Sequence, residues 1–307
     1  MPLTTQMWLY RQSGRGIQVP RFSLLLQGEK MKVCLYMCCH SGFQTIPPLF
    51  VPMQCGAALN PPVTGALRDD TGDNISALNR EYCELTAHYH AWKNTDADCY
   101  GFCHYRRFFA LGAQTKYPYI VRAEASPEAA LLGTAAQLEA LMEENRIITV
   151  RSEDMGLPVR EHYCTSAHHY AEDLALFCDI LKNTAPQLTA AMEEYLAQTR
   201  QYFCNMFIMD RRHFSEYCGI LFPVLKEFDR RKVRHGCFQA DRTDGYLGEV
   251  FTGIYITHAR KAGTSVAEVP RLDAGCSRKK ILGCRLLPPE TGRRFLAKRV
   301  AKKLKKS

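Results

Sequence analysis

Polar side chains that could bind or transfer a charged group are concentrated in three segments of this 307-residue chain. The first segment, Asp69 to Ser76, places three carboxylates and one amide directly before an expected helix. Asp, Asn, Gly and Ser are the residues that a turn and a helix cap favour. The segment therefore allows two interpretations, a structural turn or a ligand-binding loop.

The second segment, Gly101 to Phe109, ends an apolar strand in His104-Tyr105-Arg106-Arg107. Two adjacent arginines at the carboxyl end of a strand are poor core residues. Guanidinium groups are always charged and form bidentate hydrogen bonds with phosphate oxygens. Arg106 and Arg107 are therefore candidates to hold a diphosphate, and the alternative is a solvated pair of surface arginines.

The third segment combines Asn205-Met206-Phe207 with a later stretch that runs from Arg242 to Glu249. Glu249 lies about one turn into an expected helix, behind a loop that contains glycine. A carboxylate in this position could act as a general base. The alternative is a helix-start glutamate that the helix dipole favours.

Two further signals concern a histidine pair and an acidic pair. His168 and His169 precede an expected amphipathic helix, where they are either structural or able to contact a sugar hydroxyl. Asp96-Ala97-Asp98 has the form of a metal-binding DxD motif, but it precedes an expected strand instead of following it. We therefore do not expect it to bind a metal. If arginines neutralise a diphosphate, no cation is required, and Mg²⁺ or Mn²⁺ is the alternative.

Strands alternate with helices from residue 32 onward. Apolar runs predict buried strands at Val33–Cys39, Leu49–Cys55, Cys99–Tyr105 and Ile147–Val150. Apolar residues three and four apart predict one helix over Ser76–Asn94, and further helices are expected over 135–145, 169–183, 186–200 and 211–229. This order predicts an α/β fold with a mostly parallel central sheet flanked by helices. Ligands of such sheets bind beyond the carboxyl ends of the strands, here after Cys39 and Tyr105.

The net charge of +9 is concentrated at the end of the chain, because residues 293–307 hold eight Lys and Arg and no acid. The remainder is nearly neutral, so no nucleic-acid partner is expected. Leu296, Val300 and Leu304 are four residues apart among these basic residues. We expect residues 286–307 to form a basic amphipathic tail that lies on an anionic membrane surface. The alternative is a disordered, solubilising tail.

Residues 1–30 differ in pattern from the rest and are expected to be a non-native or disordered extension. Gln27-Gly28-Glu29-Lys30 is the peptide that a purine-rich ribosome-binding site before a start at Met31 would encode. Residues 31–285 are then one domain. No run of roughly 18–20 apolar residues and no signal peptide is apparent. The expected location is therefore cytoplasmic, peripheral to the inner face of the cell membrane.

These segments resemble the signatures of a bacterial capsule and exopolysaccharide glycosyltransferase family. That family was long catalogued as a domain of unknown function, and it includes β-galactofuranosyltransferases. One signature is similar to Asp70-Thr71-Gly72-Asp73-Asn74-Ile75-Ser76 with Asn79, Tyr82-Cys83-Glu84-Leu85-Thr86, Tyr89 and Ala91-Trp92-Lys93-Asn94. A second, Gly-Leu-x-His-Tyr-Arg-Arg-Tyr-Phe, is similar to Gly101 to Phe109. The resemblance also includes His40, Asn205-Met206-Phe207, Arg242, Gly245, Tyr246 and Glu249. It therefore covers about residues 31–270.

The resemblance implies a GT-A-like nucleotide-sugar-binding domain that transfers a sugar, expected to be galactofuranose, from a UDP-sugar. The implied acceptor is an oligosaccharide linked to undecaprenyl diphosphate, in capsule, exopolysaccharide or O-antigen synthesis. The β product of the family implies that transfer inverts the anomeric configuration. An inverting transfer needs one base, for which Glu249 and then Asp73 are the candidates. The implied donor-binding residues are His40, Asp70, Asn74, Asn79, Lys93, His104, Arg106 and Arg107, and the implied acceptor-binding residues are His168, His169, Asn205 and Arg242. The alternative is a non-catalytic nucleotide-sugar- or carbohydrate-binding module.

Overall fold

The structure, a computed structural model, describes residues 22–26, 29–47, 49–124, 135–167, 169–234 and 242–296. The strands in these residues are β1 (Phe22–Leu26), β2 (Glu29–Cys39), β3 (Phe50–Gln54), β4 (Leu67–Arg68), β5 (Cys99–His104), β6 (Arg107–Phe109), β7 (Tyr119–Val121), β8 (Ile147–Val150), β9 (Glu153–Asp154), β10 (Arg200–Gln201), β11 (Phe207–Asp210), β12 (Val266–Val269) and β13 (Arg271–Asp273). The helices are α1 (Asn79–Tyr82), α2 (Leu85–Asn94), α3 (Ala135–Glu144), α4 (Val159–Thr165), α5 (Ala171–Thr184), α6 (Thr189–Ala197), α7 (Arg211–Arg231), α8 (Thr243–Lys261) and α9 (Arg278–Leu286).

The central sheet has the strand order β12-β8-β11-β5-β2-β3-β4. Strands β5, β2, β3 and β4 pair in parallel, and so do β12 and β8. Strand β11 runs antiparallel to both of its neighbours. The sheet is therefore mostly parallel and flanked by helices, which confirms the predicted α/β class. Strand β6 turns back along β5 and pairs with β13, which also pairs with β7.

Strand β2 is buried on both faces, which explains its nearly continuous apolar sequence. Cys34, Tyr36 and Cys38 face the larger core, together with helices α2 and α4 to α8. The residues between them, such as Leu35 and Met37, face a second core built with α3, β6 and β13. The carboxyl ends of β2 and β5 thus lie side by side on a sheet that is covered on both faces.

The predicted single helix over Ser76–Asn94 is wrong, because the backbone breaks near its middle. A 3-10 turn at Ser76–Leu78 and the short α1 precede Cys83, whose φ of 51° interrupts the helix before α2. A positive φ is unfavourable for a residue with a side chain. The side-chain amide of Asn79 donates to the Cys83 carbonyl at 2.6 Å and supports this turn.

The described part of the N-terminal extension contains a strand. Residues Phe22–Leu26 form β1, which pairs antiparallel with the start of β2 because both segments have strand-forming sequences. Residues 1–21 and 297–307, which include half of the predicted tail, lie outside the described residues.

No helix in the described part of the chain has both the length and the apolar character that crossing a membrane requires.

Helix α8 packs against α6 at a glycine that leaves no space for a methyl group. A Cβ atom at Gly253 would lie 1.9 Å from Cζ of the buried Tyr195. We therefore expect Gly253→Ala to lower the free energy of unfolding by about 1–3 kcal/mol through overpacking. Urea denaturation measures this change.

Gly219 in α7 is the matched control, because a Cβ atom there meets nothing within 4 Å. Gly219→Ala should raise stability by up to about 1 kcal/mol through helix propensity. Equal effects of the two substitutions would contradict the described packing of α6 on α8.

Candidate active site

A two-residue turn before β11 connects the elements that carry the polar residues. Both Cys204 and Asn205 have positive φ angles, 76° and 45°. The Cys204 carbonyl accepts a hydrogen bond from Nε2 of His104 at 2.9 Å. The Cys204 backbone N–H donates to Oε1 of Glu249 at 2.7 Å. This turn therefore holds the end of β5 and the first turns of α8 together.

Glu84, which the sequence analysis assigned no role, is the third group at this turn. Its Oε1 accepts from Nδ2 of Asn205 at 2.8 Å and lies 3.6 Å from Nε2 of His104. Burial acts to raise the pKa of Glu84, but the positive charge of His104 and the hydrogen bonds from His104 and Asn205 outweigh it. The pKa of Glu84 is therefore lowered to about 2, and Glu84 is ionised at neutral pH.

Glu249 has the opposite shift although it belongs to the same cluster. Burial and the negative charge of Glu84 raise its pKa to about 7, against the opposing effects of the Cys204 N–H, Arg107 and His104. A carboxyl group with a pKa near neutral pH can take up and release a proton, as a general base or acid must. Two carboxyl groups with diverging pKa values in one site indicate different roles for each.

Cationic and aromatic groups lie beside this cluster at the carboxyl ends of β2 and β5. The Tyr105 hydroxyl and Nε2 of His40 are 3.1 Å apart, and the Arg106 guanidinium lies 4.8 Å from the centre of the Tyr105 ring. Burial, followed by the positive charges of Arg106, Arg242 and His104, lowers the pKa of His40. The predicted loops after Cys39 and Tyr105 are thus in contact.

Arg242 approaches the same region from the start of α8. Its Nε lies 3.3 Å from Sγ of Cys83, and its guanidinium lies 5.8 Å from the centre of the Tyr246 ring. Arg107 is exposed and close enough to Glu249 to lower the pKa of that carboxyl group. The described residues thus bring together three arginines, two histidines and two glutamates.

Two glycines allow α8 to approach this cluster closely. A Cβ atom at Gly245 would lie 2.9 Å from Sγ of Cys83, and one at Gly248 would lie 2.8 Å from the Leu85 side chain. The Gly245 carbonyl also accepts from Nδ2 of Asn205 at 3.1 Å. The glycines between Arg242 and Glu249 are therefore needed for space.

Asn205, a predicted acceptor-binding residue, is engaged within the protein. Its Nδ2 donates to Glu84 and to Gly245, and its Oδ1 accepts from the Thr252 hydroxyl at 3.3 Å. Because both ends of the amide are occupied, the structure gives Asn205 a positioning role.

Asp73, the second predicted base, lies at the end of α2 that is far from Glu84. Its carboxylate accepts from the Tyr89 hydroxyl at 3.1 Å, and its backbone bonds to the side chain of Asn94. Asn94 follows Glu84 by ten residues, which is about 15 Å along a helix. The paired hydrogen bonds to Asn94 hold this turn against the far end of α2.

The other donor-binding residues predicted in this region have structural partners. Asp70 forms an ion pair with Arg68 at 2.5 Å, and Asn74 bonds within its own turn. Lys93, at the end of α2, lies 3.6 Å above the Trp92 ring. Asn79, described above, supports the break at Cys83. None of these contacts reaches the cluster at Cys204.

The two predicted histidines of the acceptor site have different outcomes. His168 lies outside the described residues. The His169 ring lies between Tyr163 and Tyr246, with centroid distances of 4.3 and 4.4 Å. Tyr246 in turn lies beneath Arg242, so His169 is connected to the margin of the cluster.

The carboxylates that could hold a cation have cationic side chains as partners. Asp96 pairs with Arg211 at 2.7 Å and Asp98 with the same arginine at 3.0 Å, before β5 begins. Among the described residues, Glu81, Asp229 and Asp244 are close enough to share an ion. Lys232 Nζ already lies 2.5–2.8 Å from all three carboxylates. Its ammonium group takes the place that a metal would occupy.

The fold is similar to that of a glycosyltransferase. The chain superposes with a TM-score of 0.74 on the apo structure of WbbM, which is described as a bifunctional glycosyltransferase. The two sequences are 25% identical, and the match covers 80% of this chain and 45% of that one. The chain therefore spans less than half the length of that protein.

The chain belongs to the family described as a domain of unknown function, DUF4422, whose model matches residues 34–261. No curated protein matches the chain.

The raised pKa of Glu249 predicts a stability change that depends on pH. Its ordinary value is 4.5 and its folded value about 7, so the stabilising neutral form is lost as the pH rises through about 7. Relative to wild type, Glu249→Gln should therefore gain on the order of 2 kcal/mol in unfolding free energy between pH 5 and pH 8. Urea titrations at the two pH values measure this difference.

The glutamine side chain of this variant can still accept from the Cys204 N–H, so the turn should persist. Glu161→Gln, which changes an exposed glutamate on α4, is the matched control. If the difference in unfolding free energy between Glu249→Gln and wild type is the same at both pH values, the raised pKa of Glu249 is contradicted.

Proposed function

We propose that the chain is a glycosyltransferase that moves a sugar from a UDP-sugar to a carbohydrate acceptor. The observation that carries this proposal is Glu249, a carboxyl group that accepts from the Cys204 N–H at 2.7 Å, lies near Arg107 and has a pKa raised to about 7. Ligands of α/β sheets bind at this edge. The structural similarity to a glycosyltransferase supports the same class of reaction.

In the proposed reaction, the deprotonated Glu249 accepts the proton of an acceptor hydroxyl. The hydroxyl oxygen then attacks the anomeric carbon of the sugar, and the bond from that carbon to the β-phosphate oxygen breaks. UDP leaves with the bonding electron pair and one additional negative charge. A single in-line displacement of this kind inverts the anomeric configuration and needs one base. Because Oε1 of Glu249 is held by Cys204, Oε2 is the oxygen assigned to the proton.

The cations near Glu249 are assigned to the diphosphate. Arg106 and Arg107 follow the end of β5, and Arg242 reaches the same region from α8. Guanidinium groups bind phosphate oxygens in bidentate geometry and stabilise charge that develops on a leaving group. His40 and His104 are assigned to the same set as further hydrogen-bond donors. Glu84 and Asn205 position His104 and the Cys204 turn.

The finer assignments rest on the family resemblance and on the charge of the chain. We propose galactofuranose as the donor sugar and an oligosaccharide on undecaprenyl diphosphate as the acceptor. The expected setting is capsule, exopolysaccharide or O-antigen synthesis at the inner face of the cell membrane. Basic residues at the end of the chain fit an acceptor that is embedded in an anionic membrane.

Glu249→Gln should lower the turnover rate by about 10²–10⁴, which is the usual contribution of a general base. UDP binding should remain within a factor of a few, because the arginines are unchanged. In the wild type, the rate should rise as the pH increases through about 7, since the base must be ionised. Single-turnover transfer assays across this pH range, with calorimetric UDP binding, measure both effects. Normal turnover by a folded Glu249→Gln variant would remove Glu249 from this role.

Arg107→Ala should weaken UDP binding by about tenfold or more, because a charged phosphate contact is removed. Arg122→Ala, at an exposed arginine beyond β7, is the control and should bind UDP like the wild type. A thermal-shift screen of UDP-sugars provides the measurement, since a bound donor stabilises the native state.

A donor that stabilises the protein but is never hydrolysed or transferred would instead favour a binding module. If Arg107→Ala binds UDP like the wild type, the diphosphate assignment is wrong.

A further inference from the structure

Helix α9 and the helical turn at 292–296 expose leucine side chains to solvent. Of the seven large hydrophobic side chains that are exposed in the described residues, three lie here. They are Leu282, Leu286 and Leu296, with exposed fractions of 56%, 67% and 63%. Leucines this exposed on one short stretch indicate a surface that contacts something other than water.

The leucines of α9 share one face with basic residues. Leu282 and Leu286 are four residues apart, and Arg278, Lys279 and Arg285 lie at helical spacings from them and are also exposed. The opposite face contains the partly buried Ile281 and Cys284, through which α9 contacts the body of the protein. We call the exposed face, together with Leu296, the basic leucine surface.

The charge around this surface is strongly one-sided. Residues 277–296 contain six Lys and Arg and one acid, Glu290, and this acid is already paired with Arg200 at 2.9 Å. The chain continues from there with the basic residues of 297–307. A partner that covers this surface must therefore present negative charge and also accept leucine side chains.

Helix α9 is fixed to the body, and its first residues follow a strand that contacts the proposed donor site. Lys280 pairs with Asp273 at 2.9 Å, and Nη1 of Arg294 donates to the Leu287 carbonyl at 3.0 Å. The Ala274 N–H donates to the Arg106 carbonyl at 2.9 Å. Ser277, the cap of α9, follows Ala274 by three residues, at most about 10 Å of chain.

We propose that the basic leucine surface docks on an anionic lipid bilayer. The leucines insert among the headgroups, and the neighbouring Arg and Lys side chains pair with lipid phosphates. Amphipathic helices bind bilayers through this combination of apolar insertion and electrostatic attraction. A nucleic acid would satisfy the positive charge, but it would leave the leucines exposed, so the observations favour the bilayer.

Docking through α9 places the region of Arg106 next to the membrane. If the proposed transferase function holds, the site is then within reach of an acceptor whose lipid remains in the bilayer. The docking itself does not rest on that function, because it depends only on the composition and exposure of the surface.

The test uses the full chain and co-sedimentation with phosphatidylcholine vesicles, with and without phosphatidylglycerol. Wild type should bind the anionic vesicles at least about tenfold more tightly than the neutral ones. The double variant Leu282→Gln with Leu286→Gln should lose about tenfold or more of this binding. Gln is a good helix former, so α9 should persist, which circular dichroism checks.

Two matched controls separate this surface from general effects. Val233→Gln with Leu59→Gln removes two other exposed hydrophobic side chains and should bind vesicles like the wild type. Lys279→Glu with Arg285→Glu should weaken binding by about tenfold or more. Arg212→Glu with Lys226→Glu changes the net charge equally on exposed positions of α7 and should have a much smaller effect.

Wild-type protein that does not bind anionic vesicles, or unchanged binding by the leucine variant, would overturn the proposal. If only the charge variant loses vesicle binding, and a soluble polyanion competes with the vesicles equally well, the surface would instead bind polyanions in general. Donor hydrolysis is measured on the same proteins and should be unchanged in the leucine variant. Vesicle binding without any hydrolysis would support the docking surface and count against the transferase proposal.

Discussion

The geometry of the candidate site depends on one strained turn, Cys204–Asn205. Both residues have left-handed backbone angles, which cost free energy in residues other than glycine and persist only where surrounding contacts enforce them. Here the contacts come from three directions, because the turn bonds to His104 on β5, to Glu249 on α8, and to Glu84 before α2. The turn is thus a hydrogen-bond partner that these three elements share at the edge of the sheet.

The same arrangement explains why two nearby carboxyl groups titrate differently. Glu84 accepts a hydrogen bond from Asn205 and faces His104, so its ionised form is stabilised. Glu249 is buried and lies near the negative charge of Glu84, and these two effects outweigh the hydrogen bond from the Cys204 N–H, so its neutral form is favoured. The pKa of Glu84 is thus lowered by specific neighbours, whereas that of Glu249 is raised first by burial and then by the charge of Glu84. The glycines of α8 are part of this arrangement because they bring Glu249 close enough.

The sequence predicted the parts of the fold that follow from local pattern and failed where distant contacts decide. Strand β8 and helix α7 match their predicted positions closely, because their apolar residues recur at strand or helix spacing. The break at Cys83 and the position of Asp73 could not be read in this way. Both depend on side-chain amides, those of Asn79 and Asn94, that bond across several residues. Glu84 belongs to the Tyr82–Thr86 motif of the family resemblance. Its place in the cluster depends on a hydrogen bond from Asn205, 121 residues away in the sequence, which no local pattern predicts.

The transferase proposal consequently rests on the cluster around Cys204 and not on the acidic turn near Asp73. A structure of the protein with bound UDP tests this claim most directly. We expect the diphosphate to contact Arg106 or Arg107 and the Glu249 carboxyl group to face the β-phosphate. Density for UDP at the Asp70–Ser76 turn, with no contact to these arginines, would contradict it.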